Sequence, residues 1–194
     1  SGPYKLLGWS LGGLVAHEIA RRLEADGEEI SYLALLDSYP YVQGPTQLAD
    51  EVHLVKSALN FMGLPSDSLP QGRENMTELS DLLCREYDIQ NLPFVKEMQQ
   101  SNSNIIDSVK HIIENNLSMS RQFMPGTIKA KMVFIAATDT AKTQMNDVLH
   151  NSAEVWQNHV GQLTVHNVDC HHQEMFDASA LEQIGPIIVN SLNA

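Results

Sequence analysis

The sequence Gly-Trp-Ser-Leu-Gly at residues 8–12 constrains the fold of this chain more than any other feature, because of what lies on each side of it. Residues Tyr4–Trp9 form a short apolar run that predicts a buried strand, and apolar residues at helical spacing then predict a helix that ends near Gly27. A Gly-x-Ser-x-Gly sequence between a strand and a helix is typical of a sharp turn that exposes a nucleophilic serine. We therefore expect Ser10 to be the nucleophile and the N–H of Leu11, at the helix N-terminus, to bind an oxyanion.

Glycine is expected on both sides of such a serine, because side chains there would clash in the tight turn. A further glycine, Gly13, is expected to let the helix approach the sheet closely.

Three more apolar runs predict further strands. They are Ile30–Leu36, Lys131–Ala137 and Leu163–Val168. Nearly continuous apolar runs are typical of strands buried on both faces of a parallel sheet. A helical stretch around Ala153–Trp156 precedes the last strand, and Ser179–Leu192 predicts a packing helix with a kink or break at Pro186. The fold class is therefore α/β, with a mostly parallel sheet flanked by helices.

Residues 41–127 contain no convincing strand and are too many for a plain loop in a compact domain. Three amphipathic stretches there predict helices, separated by proline and glycine. We interpret residues 1–194 as a single domain with a helical lid inserted at 41–127. The alternative, given equal weight, is that these helices only cover the sheet.

A serine hydroxyl needs a nearby base, and that base needs an acid to orient it. His171 and His172 are the histidines that follow the last predicted strand, so one of them is the expected base. Asp37 and Asp139 each follow a predicted strand, and residue chemistry does not choose between them as the acid. We expect no metal site at the histidine pair, because adjacent side chains point apart and a third ligand is not obvious nearby.

The charge balance argues against a nucleic-acid partner, since 12 basic residues are scattered among 24 acidic ones and the formal net charge is −12. No apolar run approaches the length needed to cross a bilayer, so a membrane partner is not expected. Cys84 and Cys170 match no zinc or redox spacing, and the first residues do not resemble a signal peptide. We therefore expect a cytoplasmic location.

The sequence Gly-Pro-Tyr-Lys-Leu-Leu-Gly-Trp-Ser-Leu-Gly-Gly, residues 2–13, resembles the nucleophile region of the thioesterase domains that end nonribosomal peptide synthetases and related polyketide synthases. Residues Ala34–Ser38 resemble the acid motif of this family, and His172–Phe176 resemble its histidine motif. Trp156 and Gly161–Leu163 are also similar, so the resemblance covers nearly the whole chain. It implies the α/β-hydrolase fold with a lid after the acid strand.

The same resemblance favours Asp37 over Asp139 as the acid and His172 over His171 as the base. It implies that Ser10 accepts an acyl or peptidyl group from the phosphopantetheine thioester of a carrier protein. Hydrolysis or macrocyclisation then releases the small-molecule product. The carrier domain is the implied partner, and the domain itself is expected to bind no cofactor.

One residue beside the nucleophile has two interpretations. Trp9 could line the acyl pocket, or it could simply pack at the end of its strand.

Two other functions fit the sequence. A general carboxylesterase or lipase of the same fold is one, and Asp139 as the acid would favour it. A non-catalytic hydrolase-like binding domain is the other, but such a domain does not need Ser10, Asp37 and His172 together.

Family members have several strands before the nucleophile strand, and a loop among them supplies a second oxyanion donor. This chain begins nine residues before Ser10, so we expect those N-terminal strands and that donor to be missing from it. Loss of one oxyanion donor lowers turnover by roughly 10²–10³, which predicts weak or no activity for these residues alone. The strand around Leu6 and Leu7 would then be an exposed edge, open to pairing with a second copy.

Overall fold

The computed structural model divides the chain into two compact units, one of residues 1–42 with 120–194 and the other of residues 43–119. The residues that the structure describes are 2–40, 111, 115, 116, 118–138 and 153–193. The lid expected at 41–127 lies mostly outside the described residues and stays a prediction. Its described residues from 111 to 122 are helical.

Four parallel strands form one sheet in the order β1-β2-β3-β4. They are β1 (Tyr4–Trp9), β2 (Ile30–Leu36), β3 (Lys131–Ala137) and β4 (Gln162–Val168). The four predicted strands are therefore confirmed. Because all of them run in the same direction, their carboxyl ends meet at one edge of the sheet, where parallel sheets place their functional groups.

In the described part of the chain, two long helices cover the sheet: α1 (Leu11–Ala25) follows β1, and α2 (Ala178–Leu192) lies near the C-terminus. Of the kink or break predicted at Pro186, the break is wrong, since α2 continues through this residue. Proline removes one backbone hydrogen bond and crowds the preceding turn. Pro186 is exposed, as is Glu182, whose carbonyl loses that bond, so water can satisfy the carbonyl there. No described helix is long and apolar enough to cross a membrane.

Two single-turn 3₁₀ helices lie near β4. The first, Ala153–Trp156, is the helical stretch expected before that strand, and the second, His172–Glu174, follows it. The residues that lead from β3 to the first of them, 139–152, are outside the described part of the chain.

The core lies on both faces of the sheet. Leu33 and Leu35 of β2 pack in a cluster with residues of α1, whereas Ala34 and Leu36 pack in a second cluster with residues of α2. All four side chains are at most 2% exposed. Side chains alternate between the faces of a strand, so a strand buried on both sides must be apolar throughout. This explains the continuous apolar run that β2 shows in the sequence.

Candidate active site

Ser10 occupies a sharp turn between β1 and α1. Its backbone has φ 54° and ψ −128°, a conformation that a residue with a side chain rarely adopts and that costs about 1–3 kcal/mol. The turn is held at both ends, since the Ser10 N–H donates to the carbonyl of Leu36 at 3.0 Å and its carbonyl accepts from the N–H of Gly13 at 3.0 Å. The backbone of Ser10 is therefore fixed at the carboxyl end of β2, beside the residue that precedes Asp37.

The glycines of this turn have different roles. A Cβ at Gly8 would lie 2.2 Å from the carbonyl oxygen of Gly12, so glycine is needed there, as the motif predicts. A Cβ at Gly12 would meet no heavy atom of the described residues within 4 Å, so the clash predicted on that side of the serine is wrong. A Cβ at Gly13 would lie 2.4 Å from the side chain of Ser38, so the expected close approach of α1 is to the residue that follows Asp37.

Asp37 and His172 are brought together by the fold. The distance from Oδ2 of Asp37 to Nδ1 of His172 is 2.6 Å, and the two side chains are 12% and 18% exposed. Asp37 has φ 44°, and its N–H donates to the carbonyl of Ile135 in β3 at 2.8 Å. The other candidate acid, Asp139, lies outside the described residues. The structure therefore pairs one candidate acid with one candidate base.

The second carboxylate oxygen of Asp37 is held as well. Oδ1 accepts hydrogen bonds from the hydroxyl of Tyr39 at 3.0 Å and from the N–H of Ala137 at 3.2 Å. Burial, together with the negative charge of Asp37, raises the pKa of Tyr39 far above its ordinary value, so this hydroxyl keeps its proton. Sequence reasoning missed Tyr39, although it lies only two residues after the acid.

His172 begins the second 3₁₀ helix, and its ring is stacked on Trp9, with 4.9 Å between ring centroids and 24° between planes. Phe176 contacts Trp9 edge-on at 5.2 Å. Both of these ring contacts of Trp9 are with the histidine segment, and its role in an acyl pocket stays a prediction. The neighbouring His171 donates its backbone N–H to the carboxylate of Glu174 at 3.0 Å.

Leu11 is the first residue of α1 and directly follows Ser10. The first N–H groups of a helix have no partner within it, and they carry a partial positive charge. The position suits the expected oxyanion donor, and that role stays a prediction.

Cys170 lies close to the site but is a poor candidate for a nucleophile. It is a buried free thiol. Burial and the nearby carboxylates, Asp37 foremost, raise its pKa, so the reactive thiolate is disfavoured. Among the described residues, no group of three or more His, Cys, Asp or Glu side chains lies close enough to bind a metal ion.

With this geometry established, comparison with known proteins identifies similar chains. The family model of the thioesterase domain matches residues 1–191. The chain is 27% identical over 193 residues to a dimodular nonribosomal peptide synthase of Bacillus subtilis (strain 168), which covers 98% of this chain and 8% of that protein. It is 27% identical over 192 residues to enterobactin synthase component F of Escherichia coli O157:H7, covering 99% of this chain and 13% of that protein. The chain thus spans only a small part of these relatives.

A solved structure of similar fold is that of the thioesterase domain SrfTE, described for the cyclization of the lipopeptide antibiotic surfactin. The TM-score is 0.59 at 19% identity, and the match covers 100% of this chain and 69% of the other. At this identity the likeness concerns the fold, which is that of the α/β-hydrolase thioesterases.

Proposed function

This chain belongs to the thioesterase domain family, and from that premise we propose that it releases an acyl or peptidyl group from the pantetheine thioester of a carrier protein through an acyl-enzyme on Ser10. The α/β-hydrolase fold and the family both make it a hydrolase. The serine mechanism, the acyl group and the carrier protein belong to the proposal. A cytoplasmic location and the absence of a bound cofactor are also part of it.

The contact of 2.6 Å between Asp37 and His172 is the observation that carries this proposal. If Nδ1–H donates to the carboxylate, the lone pair of the imidazole lies on Nε2, where it can accept the proton of a serine hydroxyl. Two contacts support the role of Ser10: its N–H bonds to the carbonyl of Leu36, which precedes Asp37, and its neighbour Trp9 stacks on the imidazole of His172.

The chemistry follows from these positions. Oγ of Ser10 attacks the thioester carbonyl while its proton passes to Nε2 of His172. The tetrahedral oxyanion is stabilised by the N–H of Leu11 at the start of α1. The C–S bond then breaks, and the sulfur leaves as a thiol with the proton from His172. Water, or an amine or hydroxyl of the bound chain, next attacks the acyl-enzyme, which gives hydrolysis or cyclisation.

A carrier domain as partner is supported by the relatives. They are peptide synthetases of which the chain matches 8% and 13%, so in those proteins the matched part is one piece of a much longer enzyme. We propose the same kind of partner here, with a peptidyl or acyl chain as the substrate.

Labelling with a fluorophosphonate, followed by intact mass, tests the mechanism in the natural full-length protein. We expect one phosphonyl adduct on the wild type and none on Ser10→Ala or His172→Gln. The matched variant His171→Gln, which changes the neighbouring histidine, should label like the wild type. Loss of labelling in His171→Gln with normal labelling of His172→Gln would reassign the base.

Two further outcomes separate the alternatives. Hydrolysis of an acyl thioester should be faster than that of the oxygen ester with the same acyl group, and the opposite order would favour a carboxylesterase or lipase. A wild type that is neither labelled nor active on either ester would favour a binding domain.

A further inference from the structure

We propose that Tyr39 is a positioning residue of this site, which holds the Asp37 carboxylate in the orientation that His172 requires. The inference rests on the proposed function and extends it to a residue outside the three catalytic candidates. Its basis is the hydrogen bond of 3.0 Å from the Tyr39 hydroxyl to Oδ1 of Asp37.

The Tyr39 hydroxyl is a well-placed donor because its ring is anchored in the core. The ring packs on Phe134 of β3, with centroids 5.1 Å apart and planes at 56°. Phe134 is fully buried, so this platform is rigid. The hydroxyl is protonated at neutral pH, and a carboxylate can only accept, so the direction of this bond is fixed.

The orientation of the Asp37 carboxylate matters because its two oxygens have different hydrogen-bond partners. Oδ2 faces Nδ1 of His172 at 2.6 Å, whereas Oδ1 accepts from Tyr39 and from the N–H of Ala137. The two donors to Oδ1 come from different elements, one from the acid's own loop and one from the end of β3. Together they fix the rotation of the carboxylate plane, and with it the position of the imidazole.

The variant Tyr39→Phe removes the hydroxyl but keeps the ring on Phe134. The N–H of Ala137 remains as the second donor to Oδ1. Because hydrogen bonds to charged groups are among the stronger ones, we expect kcat to fall about 10-fold. KM should change less than about twofold, since Tyr39 acts through Asp37 and not on the bound acyl group. The rate of phosphonyl labelling of Ser10 should fall by a similar factor.

Tyr32→Phe is the matched control. Tyr32 lies in β2 and is buried, whereas Tyr39 is half-buried, and the Tyr32 hydroxyl bonds to Oγ of Ser191 in α2 at 2.9 Å. Tyr32 packs in the cluster on the α2 face, whereas Tyr39 packs against the cluster on the α1 face. We expect Tyr32→Phe to lose about as much unfolding free energy, measured in urea, as Tyr39→Phe does. Its kcat and labelling rate should stay at the wild-type values.

A readout independent of turnover is the downfield proton NMR signal of Nδ1–H of His172. In Tyr39→Phe we expect this signal to shift upfield and broaden through faster exchange with water, and in Tyr32→Phe to stay unchanged. A Tyr39→Phe protein with wild-type kcat, labelling rate and imidazole signal would overturn the proposal. So would an equal loss of kcat in both tyrosine variants, because the effect would then be one of general stability.

The same measurements separate this inference from the proposed function. Tyr39-dependent labelling of Ser10 in a protein that cleaves no thioester would overturn the thioesterase assignment and support the positioning role. A wild type that is not labelled at all would overturn both.

Discussion

The indole Nε1–H of Trp156 donates a hydrogen bond of 2.8 Å to the carbonyl oxygen of Ser38, 118 positions earlier in the chain. Trp156 is fully buried and lies just before the turn that leads into β4. Ser38 directly follows Asp37, which has a left-handed backbone with φ 44°. This bond therefore ties the unusual conformation of the acid loop to a distant part of the core.

Replacing this tryptophan should lower stability. In Trp156→Phe the Ser38 carbonyl loses its partner in a buried place, which costs about 1–3 kcal/mol, and the smaller ring leaves a cavity that adds to the loss. Urea unfolding would measure it. Trp9→Phe is the control, because Nε1 of Trp9 is buried with no hydrogen-bond partner in the described part of the chain. An equal loss in both variants would contradict a special role for the bond.

Replacement of the adjacent glycines Gly12 and Gly13 by alanine should change the free energy of unfolding in opposite directions. In Gly13→Ala the new Cβ would lie 2.4 Å from the Ser38 side chain and force α1 away from the acid loop. We expect a loss of about 1–3 kcal/mol in unfolding free energy, as for other overpacked sites. In Gly12→Ala the new methyl has free space, so the helix should gain about 0.5–1 kcal/mol. Losses of similar size in both variants would contradict this account of the close approach.

His17 should make stability depend on pH. Its side chain is fully buried beside the ring of Trp156, its Nε2 lies 3.4 Å from the carbonyl of His159, and its Nδ1 has no partner among the described residues. Burial is the main cause that lowers its pKa below the ordinary value near 6.5. The unfolded state therefore binds the proton more readily than the folded state does.

The stability that neutral His17 contributes to the folded state is therefore fully present above about pH 6.5 and is lost as the pH falls below that value. The free energy of unfolding should then fall by up to about 1.4 kcal/mol per pH unit. We expect His17→Gln to reduce the loss of stability between pH 7.5 and 5.5 in urea unfolding. His111→Gln, which removes an exposed histidine, should leave the loss as in the wild type. A wild-type slope retained in His17→Gln would contradict the prediction.

The choice between the two candidate acids can be tested by a matched pair of amides. Asp37→Asn keeps the shape of the side chain but disfavours the imidazole tautomer with a lone pair on Nε2, so we expect kcat to fall about 10³–10⁴-fold. Asp139→Asn should stay within about threefold of the wild type, because Asp37 is the candidate acid that contacts Nδ1 of His172. Thioester hydrolysis under substrate saturation measures both. A larger fall in kcat for Asp139→Asn than for Asp37→Asn would make Asp139 the acid and favour an esterase.

Much of the site was predictable because it depends on strands and turns that local sequence patterns indicate. The strands are continuous apolar runs, and parallel strands bring their carboxyl ends to one edge. Ser10 and Asp37 were both placed at that edge for this reason. The requirement for glycine at Gly8 also follows from the turn alone, and the structure shows the close backbone contact that causes it.

Other features depend on contacts between distant segments, which no local pattern records. Pro186 was expected to kink or break α2, but its exposed position lets the helix continue without a break. Tyr39 looks like an ordinary loop residue in the sequence. Only packing on Phe134 directs its hydroxyl to Asp37.

By itself the sequence determined the parallel sheet, the serine turn and the small set of residues from which an acid and a base could come, because strand burial and tight turns are local in origin. The tertiary structure decided which side chains meet. Asp37 and His172, 135 positions apart, reach 2.6 Å only after β2, β3 and β4 align their carboxyl ends. The physical reason is that a hydrogen bond depends on fractions of an ångström, and such positions are set by the packing of the whole core.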